Sequence, residues 1–284
     1  MEAARDEGRN RDDATVLGFG QEWSTFDYSA HDPIELQEVF DAYFSIFPWR
    51  ELPEGAVGFD LGCGTGRWAA RACARVGTLH CIDASEAALE VARKNLAPFE
   101  NVRLHLASVD AMPLEDASMD FGYSLGVLHH VPDTAAGIRA CARKLKPGAP
   151  LLLYLYYALE NRPAYFRAAW KASDLLRRAV SALPYSARLA ASQALALGVY
   201  WPLARSAKLV ESLGVDPEII PLAGYRDRSL YAMRGDALDR FGTRLEKRFT
   251  RPQIEEMMRS AGLERIRFAE GAPFWRAVGF RAAT

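Results

Sequence analysis

The residues best suited to chemistry are three alternate glycines that follow a short apolar run. The run spans residues 56–61, and Gly62, Gly64 and Gly66 come directly after it. Glycine lets the backbone turn sharply and approach a ligand closely, because no Cβ stands in the way. Residues 67–76 are typical of a helix. The segment therefore predicts a strand, a glycine turn and a helix, the opening of a nucleotide-binding unit.

Two acids accompany this turn. Asp60 stands two residues before Gly62, where a carboxylate can orient the turn amides or face an ammonium group of a ligand. Asp83 closes the next apolar run, 21 residues after Gly62, where an acid can accept two ribose hydroxyls. The dinucleotide fingerprint needs a third glycine three residues after the second, and Arg67 occupies that position. The pattern argues against a nicotinamide enzyme.

The elements that must position these residues alternate between strand and helix. Such alternation predicts a parallel sheet covered by helices on both faces, with ligands bound at the carboxyl ends of the strands. A closing helix at 252–260 precedes two strands joined by a Gly-Ala-Pro turn, which suit an antiparallel hairpin. Predicted strands lie at 56–61, 78–83, 102–106, 119–124, 150–157, 263–269 and 275–282, and predicted helices between the first five lie at 67–76, 85–96 and 134–145.

The arrangement G-x-G-x-G between two strand-end acids resembles the class I S-adenosylmethionine-dependent methyltransferases. The segments LASVDAMPLEDASMDFGYSLGVLHHVPD, residues 106–133, and LKPGAPLLLYLYY, residues 145–157, are similar to later segments of the small-molecule branch of that superfamily. The resemblance covers residues 55–157. It implies an α/β fold with a doubly wound, seven-stranded, mostly parallel Rossmann-like sheet, and S-adenosylmethionine as the cofactor.

The resemblance also implies which residues touch the cofactor. Many relatives have an aspartate where Ser108 stands, so the adenine contact could pass to Asp110 or to a backbone carbonyl. The strand end at Ser124 and Leu125 would lie beside the sulfonium. The implied cofactor-binding residues are Asp60, Gly62, Cys63, Gly64, Gly66, Asp83, Ala84, Ser108, Val109, Asp110, Ser124 and Leu125.

Two adjacent histidines, His129 and His130, follow the fourth strand and are the candidate catalytic residues. Adjacent side chains point different ways, so at most one faces the site. No further histidine or cysteine completes a metal-ligand set, and we expect no metal. Methyl transfer is an in-line displacement that depends on alignment, and a base matters only when the acceptor must lose a proton. A general base and a structural or cofactor-orienting role both remain open.

The segments outside this core carry the candidate acceptor site. Trp23 and Tyr28 either line the site or pack an N-terminal segment onto the core. Tyr225, Arg226 and Arg228 belong to an arginine-rich stretch with interleaved acids. Such a stretch is either a solvated, ion-paired surface or a bidentate binding site for a carboxylate or phosphate.

An insertion after the fifth strand predicts a helical lid. Residues 160–184 read as an amphipathic helix with Phe166, Trp170 and Leu175–Leu176 on one side, ended by Pro184. The next apolar stretch is interrupted at Pro202 and is shorter than the roughly 20 residues of a membrane span. A packed lid and a surface for a membrane or a lipid-like substrate are the alternatives.

The predicted organisation has four parts. We expect residues 1–15 to be disordered because they are polar and charged, and we expect a helix at 33–47 with Asp32 as its N-cap. The parts are a tail and N-terminal helical cap at 1–54, a cofactor-binding core at 55–157, a helical insertion at 158–248, and a closing helix with a terminal hairpin at 249–284.

Composition narrows the class of protein. The 284 residues carry a net charge of −1, so charge alone does not favour nucleic acid as a partner. The four cysteines form no C-x-x-C pair, which indicates reduced, buried thiols. The N-terminus is charged and has no apolar region typical of a secretory signal, so we expect a cytoplasmic location.

The resemblance implies a methyltransferase that acts on a small or medium organic acceptor, anionic or apolar, and family frequency together with the nearby histidines favours transfer to oxygen. One alternative is a methyltransferase for a lipid-like acceptor such as a quinone, suggested by the apolar insertion. Another is a catalytically inactive cofactor-binding scaffold. Membrane contact is possible but not favoured, and the oligomeric state is not predicted.

Overall fold

The computed structural model describes residues 10–28, 30–271 and 273–283, and the chain divides into two compact units. The core unit comprises Met1–Val16, Phe40–Ala158 and Leu245–Thr284, and the helical unit comprises Leu17–Val39 and Leu159–Arg244. The four-part organisation predicted from the sequence stays a prediction.

A seven-stranded sheet forms the centre of the core unit, in the order β3-β2-β1-β4-β5-β7-β6. The first five strands pair in parallel, and β7 runs antiparallel to both neighbours. The order reverses between β1 and β4, so their carboxyl ends border the crevice where such sheets bind ligands. The predicted doubly wound, mostly parallel sheet is confirmed. The strands are β1 Val57–Leu61, β2 Thr78–Asp83, β3 Val102–Leu106, β4 Phe121–Leu125, β5 Pro150–Tyr154, β6 Leu263–Phe268 and β7 Arg276–Arg281.

Helices occupy much of the remaining described chain. The helices α3, α4, α5 and α10 belong to the core unit, and the boundary between the units falls inside α1 and α2. Within the described residues, no helix is both long enough and apolar enough to cross a bilayer. The helices are α1 Asp13–Thr25, α2 Pro33–Phe44, α3 Ala69–Ala72, α4 Glu86–Asn95, α5 Thr134–Lys144, α6 Ala164–Ser181, α7 Tyr185–Leu195, α8 Trp201–Ser212, α9 Leu230–Gly242 and α10 Arg251–Ser260.

The inner strands of the sheet are buried on both faces. Leu151, Leu152 and Leu153 of β5 have no exposed surface, which explains why this strand reads as an unbroken apolar run. Ile138, Cys141 and Ala142 of α5 are also fully buried. Side-chain caps fix where the helices start, because they satisfy backbone N–H groups that have no partner within the helix. Asp133, for example, accepts a hydrogen bond from the Ala136 N–H at 2.9 Å.

The helix expected at 67–76 is much shorter than predicted. α3 covers only Ala69–Ala72, and a 3₁₀ turn at Cys73–Arg75 follows it. The Asn101 side chain donates to the carbonyls of Cys73 at 2.8 Å and of Val76 at 3.0 Å. Those carbonyls are thus satisfied without a further helical turn, and the chain can enter β2 early.

The N-terminal segment is more helical than expected. α1 begins at Asp13, so the expectation of disorder up to Thr15 is wrong for its last three residues, and residues 1–9 lie outside the described part. The Asp12 carboxylate accepts a hydrogen bond from the Thr15 N–H at 2.8 Å, which stabilises the first turn. Asp32 likewise accepts from the Ile34 N–H at 2.9 Å, as predicted for the cap of α2.

The predicted interruption at Pro202 is also not a break. α7 continues into α8 through a π-helical turn at Ala196–Tyr200. Proline lacks an N–H and clashes with the carbonyl four residues earlier. The wider π turn just before Pro202 accommodates the missing hydrogen bond and the bulk of the proline ring, so the two helices stay joined. Tyr200 is 5% exposed and belongs to the apolar core of the helical unit.

The residues predicted to share one side of α6 are divided between two sides in the structure. Phe166 and Trp170 are partly buried, whereas Leu175 and Leu176 are 69% and 43% exposed. A buried arginine sets this orientation: Arg177 donates to the backbone carbonyls of Thr243 at 2.8 Å and Arg244 at 3.0 Å, just after the end of α9. The side of α6 that carries this arginine must face inward, and the two leucines are therefore turned to solvent.

Candidate functional site

The glycine turn after β1 is shaped so that a side chain would not fit. Gly62, Gly64 and Gly66 all have positive φ values, of 76°, 53° and 79°. A Cβ on Gly62 would lie 2.3 Å from a methyl group of Val127, which follows β4. The turn therefore packs directly against the end of β4. The positive φ value and this close packing both require glycine at position 62.

Asp83 connects the end of β2 to this turn. Its carboxylate accepts hydrogen bonds from the Gly64 N–H at 2.9 Å and from the Ser85 N–H at 2.8 Å. Burial raises the pKa of Asp83, and bonds from the backbone N–H groups of Ser85, Gly64 and Ala84 oppose that rise. The acid thus holds the turn in place while standing at the carboxyl end of its strand.

Asp60 lies deeper, beside Tyr123 of β4. It is 1% exposed, and burial raises its pKa to about 8, with the Tyr123 hydroxyl opposing the rise and the Asp83 charge adding to it. Among the described residues, neither Asp60 Oδ2 nor the Tyr123 hydroxyl has a hydrogen-bond partner of normal geometry. A buried oxygen without a partner costs free energy, and a polar group that binds it recovers that cost.

The predicted adenine-side residues follow β3. Ser108 and Val109 are buried, at 7% and 6% exposure, whereas Asp110 is exposed. The Ala107 N–H donates to the Asp83 carbonyl at 3.0 Å, so this segment and the end of β2 lie side by side. The fold therefore brings the three residues next to Asp83, with only Asp110 open to solvent.

The predicted residues at the end of β4 are enclosed. The Ser124 hydroxyl has no exposed surface and donates to the Leu61 carbonyl at 3.0 Å, so it binds β4 to the end of β1. Leu125 is 8% exposed. Cys63 is also buried, and its contact with the Cys81 thiol, together with burial, raises its pKa well above the ordinary value. That thiol stays protonated and is no nucleophile.

His129 and His130 lie on a 3₁₀ turn at Leu128–His130, beyond β4. His129 has no exposed surface, and neither ring nitrogen has a hydrogen-bond partner in the described chain. Burial lowers the pKa of His129 well below the ordinary value, and His130 and Arg248 add to the effect. The imidazole is therefore neutral at physiological pH.

His130 forms a hydrogen bond with the backbone of Leu245, which lies between α9 and α10. Its Nδ1 lies 2.6 Å from the Leu245 carbonyl, which makes Nδ1 the protonated nitrogen, and the ring is 5% exposed. The His129 ring lies 3.8 Å from the ring of Tyr156, measured between centroids. The two histidines and this tyrosine form one packed group.

A cluster of aromatic rings that was not predicted from the sequence lies at the end of β5. The ring centroid of Tyr43 lies 5.0 Å from that of Tyr154 and 5.4 Å from that of Trp68, which follows the glycine turn. The Gly126 N–H donates to the Tyr154 carbonyl at 3.0 Å. The signal in the sequence was the run of three tyrosines at 154–157, at the carboxyl end of an apolar strand.

The predicted acceptor residues all lie in the helical unit. Trp23 and Tyr28 have ring centroids 5.9 Å apart, and the Tyr28 N–H donates to the Tyr231 hydroxyl at 3.1 Å. Arg228 approaches Glu35 at 3.9 Å. Tyr231 and Arg228 stand close together at the start of α9, so the unit gathers these residues at one place.

Tyr225 and Arg226 make different contacts. The Tyr225 ring packs on Tyr200 at 5.3 Å, and Arg226 forms an ion pair with Glu211 at 2.9 Å. The bond from Glu211 raises the pKa of Arg226. Of the two alternatives for this stretch, the contact of Arg226 with a carboxylate of α8 fits the ion-paired surface.

Comparison with known proteins identifies the domain. Residues 59–153 match the family model described as a methyltransferase domain. A ubiquinone biosynthesis O-methyltransferase of Xanthomonas axonopodis pv. citri is 36% identical over 132 residues, which cover 45% of this chain and 54% of that protein. A demethylmenaquinone methyltransferase of Staphylococcus aureus is 36% identical over 99 residues, which cover 34% and 41%. In these alignments the chain spans about half or less of the length of its relatives.

A solved structure extends the likeness beyond this domain. The crystal structure of an O-methyltransferase family protein from Burkholderia thailandensis superposes with a TM-score of 0.52 at 16% identity, over 87% of this chain and 56% of that chain. At this identity the likeness shows the fold alone.

Proposed function

We propose that this chain, whose residues 59–153 match a methyltransferase domain, is a class I S-adenosylmethionine-dependent methyltransferase that methylates a small or medium organic acceptor at oxygen. The observation that carries the proposal is the glycine turn with its two acids at the switch point of the sheet. Asp83 binds the turn through the Gly64 N–H, and Asp60 presents a buried oxygen without a partner in the described chain.

The residues present fit the cofactor that this domain implies. A Cβ-free backbone at Gly62 and Gly64 lets a ligand approach the turn closely. In our proposal Asp83 accepts the ribose hydroxyls, Ser108 and Val109 flank the adenine, and Asp60 faces the ammonium group. When bound, S-adenosylmethionine supplies a methyl group on a positively charged sulfur, which passes to the acceptor and leaves a neutral thioether.

The protein contributes alignment rather than a strong base. His129 is fully buried and its pKa is lowered, and His130 donates a hydrogen bond to the Leu245 carbonyl. Both are better suited to hold the end of β4 than to take a proton from the acceptor. A hydroxyl acceptor still has to lose one proton, and in our proposal water receives it. Well-aligned reactants account for much of the rate of such displacements.

The second candidate is methyl transfer to a quinone-like acceptor with a lipid tail. Two curated relatives, named as ubiquinone and demethylmenaquinone methyltransferases, support this acceptor class. In this candidate the aromatic ring of the acceptor stacks on Trp23 or Tyr28 of the helical unit. An anionic acceptor would instead use Arg228, because Arg226 is held by Glu211 at 2.9 Å whereas Arg228 approaches Glu35 only at 3.9 Å.

A turnover assay separates these candidates. The full chain is incubated with methyl-labelled S-adenosylmethionine and with matched pairs of hydroxylated aromatics, each with and without a prenyl tail. Methylation of the short compounds supports the first candidate, and methylation of the tailed compounds alone supports the quinone. Tight binding of S-adenosylhomocysteine without turnover of any acceptor would indicate the inactive scaffold instead. Absence of S-adenosylhomocysteine binding would contradict all three.

A further inference from the structure

The outer face of α6 is apolar although it is exposed. Tyr165, Leu175 and Leu176 are 53%, 69% and 43% exposed, and Leu183, just after the helix, is 41% exposed. The other uncharged residues on this face are alanines, at positions 164, 168, 169, 172 and 179, all of them exposed. Large side chains left in water on one helix face are a feature of interaction surfaces.

Cations border this apolar face on one side. Arg167, Lys171 and Arg178 are exposed and recur at intervals of four and seven residues, so they form one row along the helix. Arg178 also pairs with Asp174 at 3.0 Å. Asp174 is the one acid of α6, and it is buried against Arg177. The exposed face of the helix therefore carries positive charge and no acid.

From this arrangement we propose that the outer face of α6 docks on an anionic lipid bilayer. A helix that lies in the membrane interface needs an apolar face for the acyl boundary and basic residues for anionic headgroups, and α6 has both. Its 18 residues give a contact about 27 Å long. The helix lies on the bilayer and does not span it, since its buried side holds a charged pair.

A second copy of the chain is a poorer occupant. Two such faces brought together would place their rows of Arg167, Lys171 and Arg178 at close range, and like charges repel. An anionic bilayer complements both the apolar face and the row of cations. The inference goes beyond the proposed methyl transfer and does not depend on it, because docking is measured without cofactor or acceptor.

Vesicle flotation tests the proposal on the full chain. We expect binding to vesicles with about 30% phosphatidylglycerol, weak binding to pure phosphatidylcholine, and release as salt is raised to about 0.5 M. The double variant Leu175→Ser/Leu176→Ser should bind the anionic vesicles about tenfold more weakly, because it removes two large apolar contacts. Arg167→Gln/Lys171→Gln should weaken binding by about 25-fold at low salt, at roughly fivefold per charge.

A matched control comes from the end of α8. Leu209 and Leu213 are 62% and 72% exposed, like the leucines of α6, but Glu211 lies between them in the sequence. Leu209→Ser/Leu213→Ser should leave vesicle binding unchanged, and circular dichroism should show all variants folded. Equal binding to neutral and anionic vesicles, no binding at all, or equal loss in the control would overturn the proposal. So would a dimer, seen by light scattering, that the α6 variants dissociate while vesicle binding stays absent.

Discussion

Each unit buries a charged or titratable side chain almost completely, but with different partners. In the helical unit Arg177 is 5% exposed, and its guanidinium donates hydrogen bonds to the Asp174 carboxylate and to two backbone carbonyls. In the core unit Asp60 is 1% exposed, and one of its carboxylate oxygens has no hydrogen-bond partner in the described chain. Burial acts to raise the pKa of Asp174, but the bonds from Arg177 and Arg178 lower it overall. The pKa of Asp60 is raised to about 8.

This difference separates a buried ion pair that is satisfied within the fold from a buried acid that is not. Breaking a satisfied buried ion pair leaves an uncompensated charge and costs stability. A buried acid that is left unsatisfied already destabilises the free protein, and a ligand that pairs with it recovers that free energy. Mutations in the two units should therefore affect different measurements, stability in one and ligand affinity in the other.

The largest effect is expected for Arg177→Met. The variant leaves Asp174 buried without its closest partner and leaves the carbonyls after α9 unsatisfied, so the free energy of unfolding should fall by about 3–5 kcal/mol. Denaturant unfolding measures this. Arg178→Met is the control, because Arg178 is 69% exposed and should lose less than about 1 kcal/mol. Equal losses in both variants would mean that Asp174 is not held by its buried partner.

Asp83→Ala should come next and should mainly affect the cofactor. Each charge-assisted hydrogen bond contributes about 1.5–3 kcal/mol, so the affinity for S-adenosylhomocysteine should fall by about 100-fold in calorimetry. Glu86→Ala, an exposed acid three residues later, should change it by less than about twofold. If Asp83→Ala binds as well as the wild type, the ribose assignment is wrong.

Asp60 should make cofactor affinity depend on pH. In the free protein its carboxyl stays protonated up to a pH of about 8, and a cationic ligand group must displace that proton. Affinity for S-adenosylhomocysteine should therefore rise with pH, by up to about tenfold per pH unit below 8, and level off above. Asp60→Asn should abolish the slope. A flat profile in the wild type would exclude the contact with the ammonium group.

The same acid should make the free protein less stable as pH rises. Between the ordinary pKa of 3.8 and the folded value of about 8, the folded chain holds a proton that the unfolded chain has lost. Stability therefore falls through this window, and Asp60→Asn should flatten the fall and raise the free energy of unfolding at pH 8. An unchanged pH profile of unfolding would contradict the raised pKa.

The smallest effect is expected for the arginines of the proposed acceptor site. Arg228→Lys should raise the Michaelis constant of an anionic acceptor severalfold, because lysine lacks the bidentate fork, and should leave cofactor affinity unchanged. Arg226→Lys should have less effect, since Arg226 is paired with Glu211. Parallel loss of cofactor affinity in either variant would count against a role in acceptor binding.

The sheet could be predicted from the sequence because the signals for each strand lie within a few residues of one another. Each inner strand is an apolar run bounded by turn residues, and the glycines and acids fall where those runs end. Strands at 78–83 and 102–106 have the predicted bounds. The sheet therefore brings the predicted cofactor residues together, although their contacts with the cofactor stay predictions.

The features that were not predicted from the sequence depend on hydrogen bonds between residues far apart in the chain. Asn101 ends α3 early through carbonyls more than twenty residues away, and no pattern within 67–76 indicates it. The orientation of α6 depends on Arg177 and the carbonyls after α9, which lie 66 and 67 residues further along the chain. Helical periodicity grouped Leu175 and Leu176 with the partly buried aromatic residues of α6, whereas the structure exposes both leucines.

The position of β7 has a consequence for the order of folding during synthesis. β7 lies between β5 and β6, so the edge of β5 stays unpaired until residues 276–281 have left the ribosome. All of Leu159–Arg244 is made in that interval. The helices of that segment can form while the sheet still has an open, apolar edge strand, and a nascent chain that stalls there would be prone to aggregate.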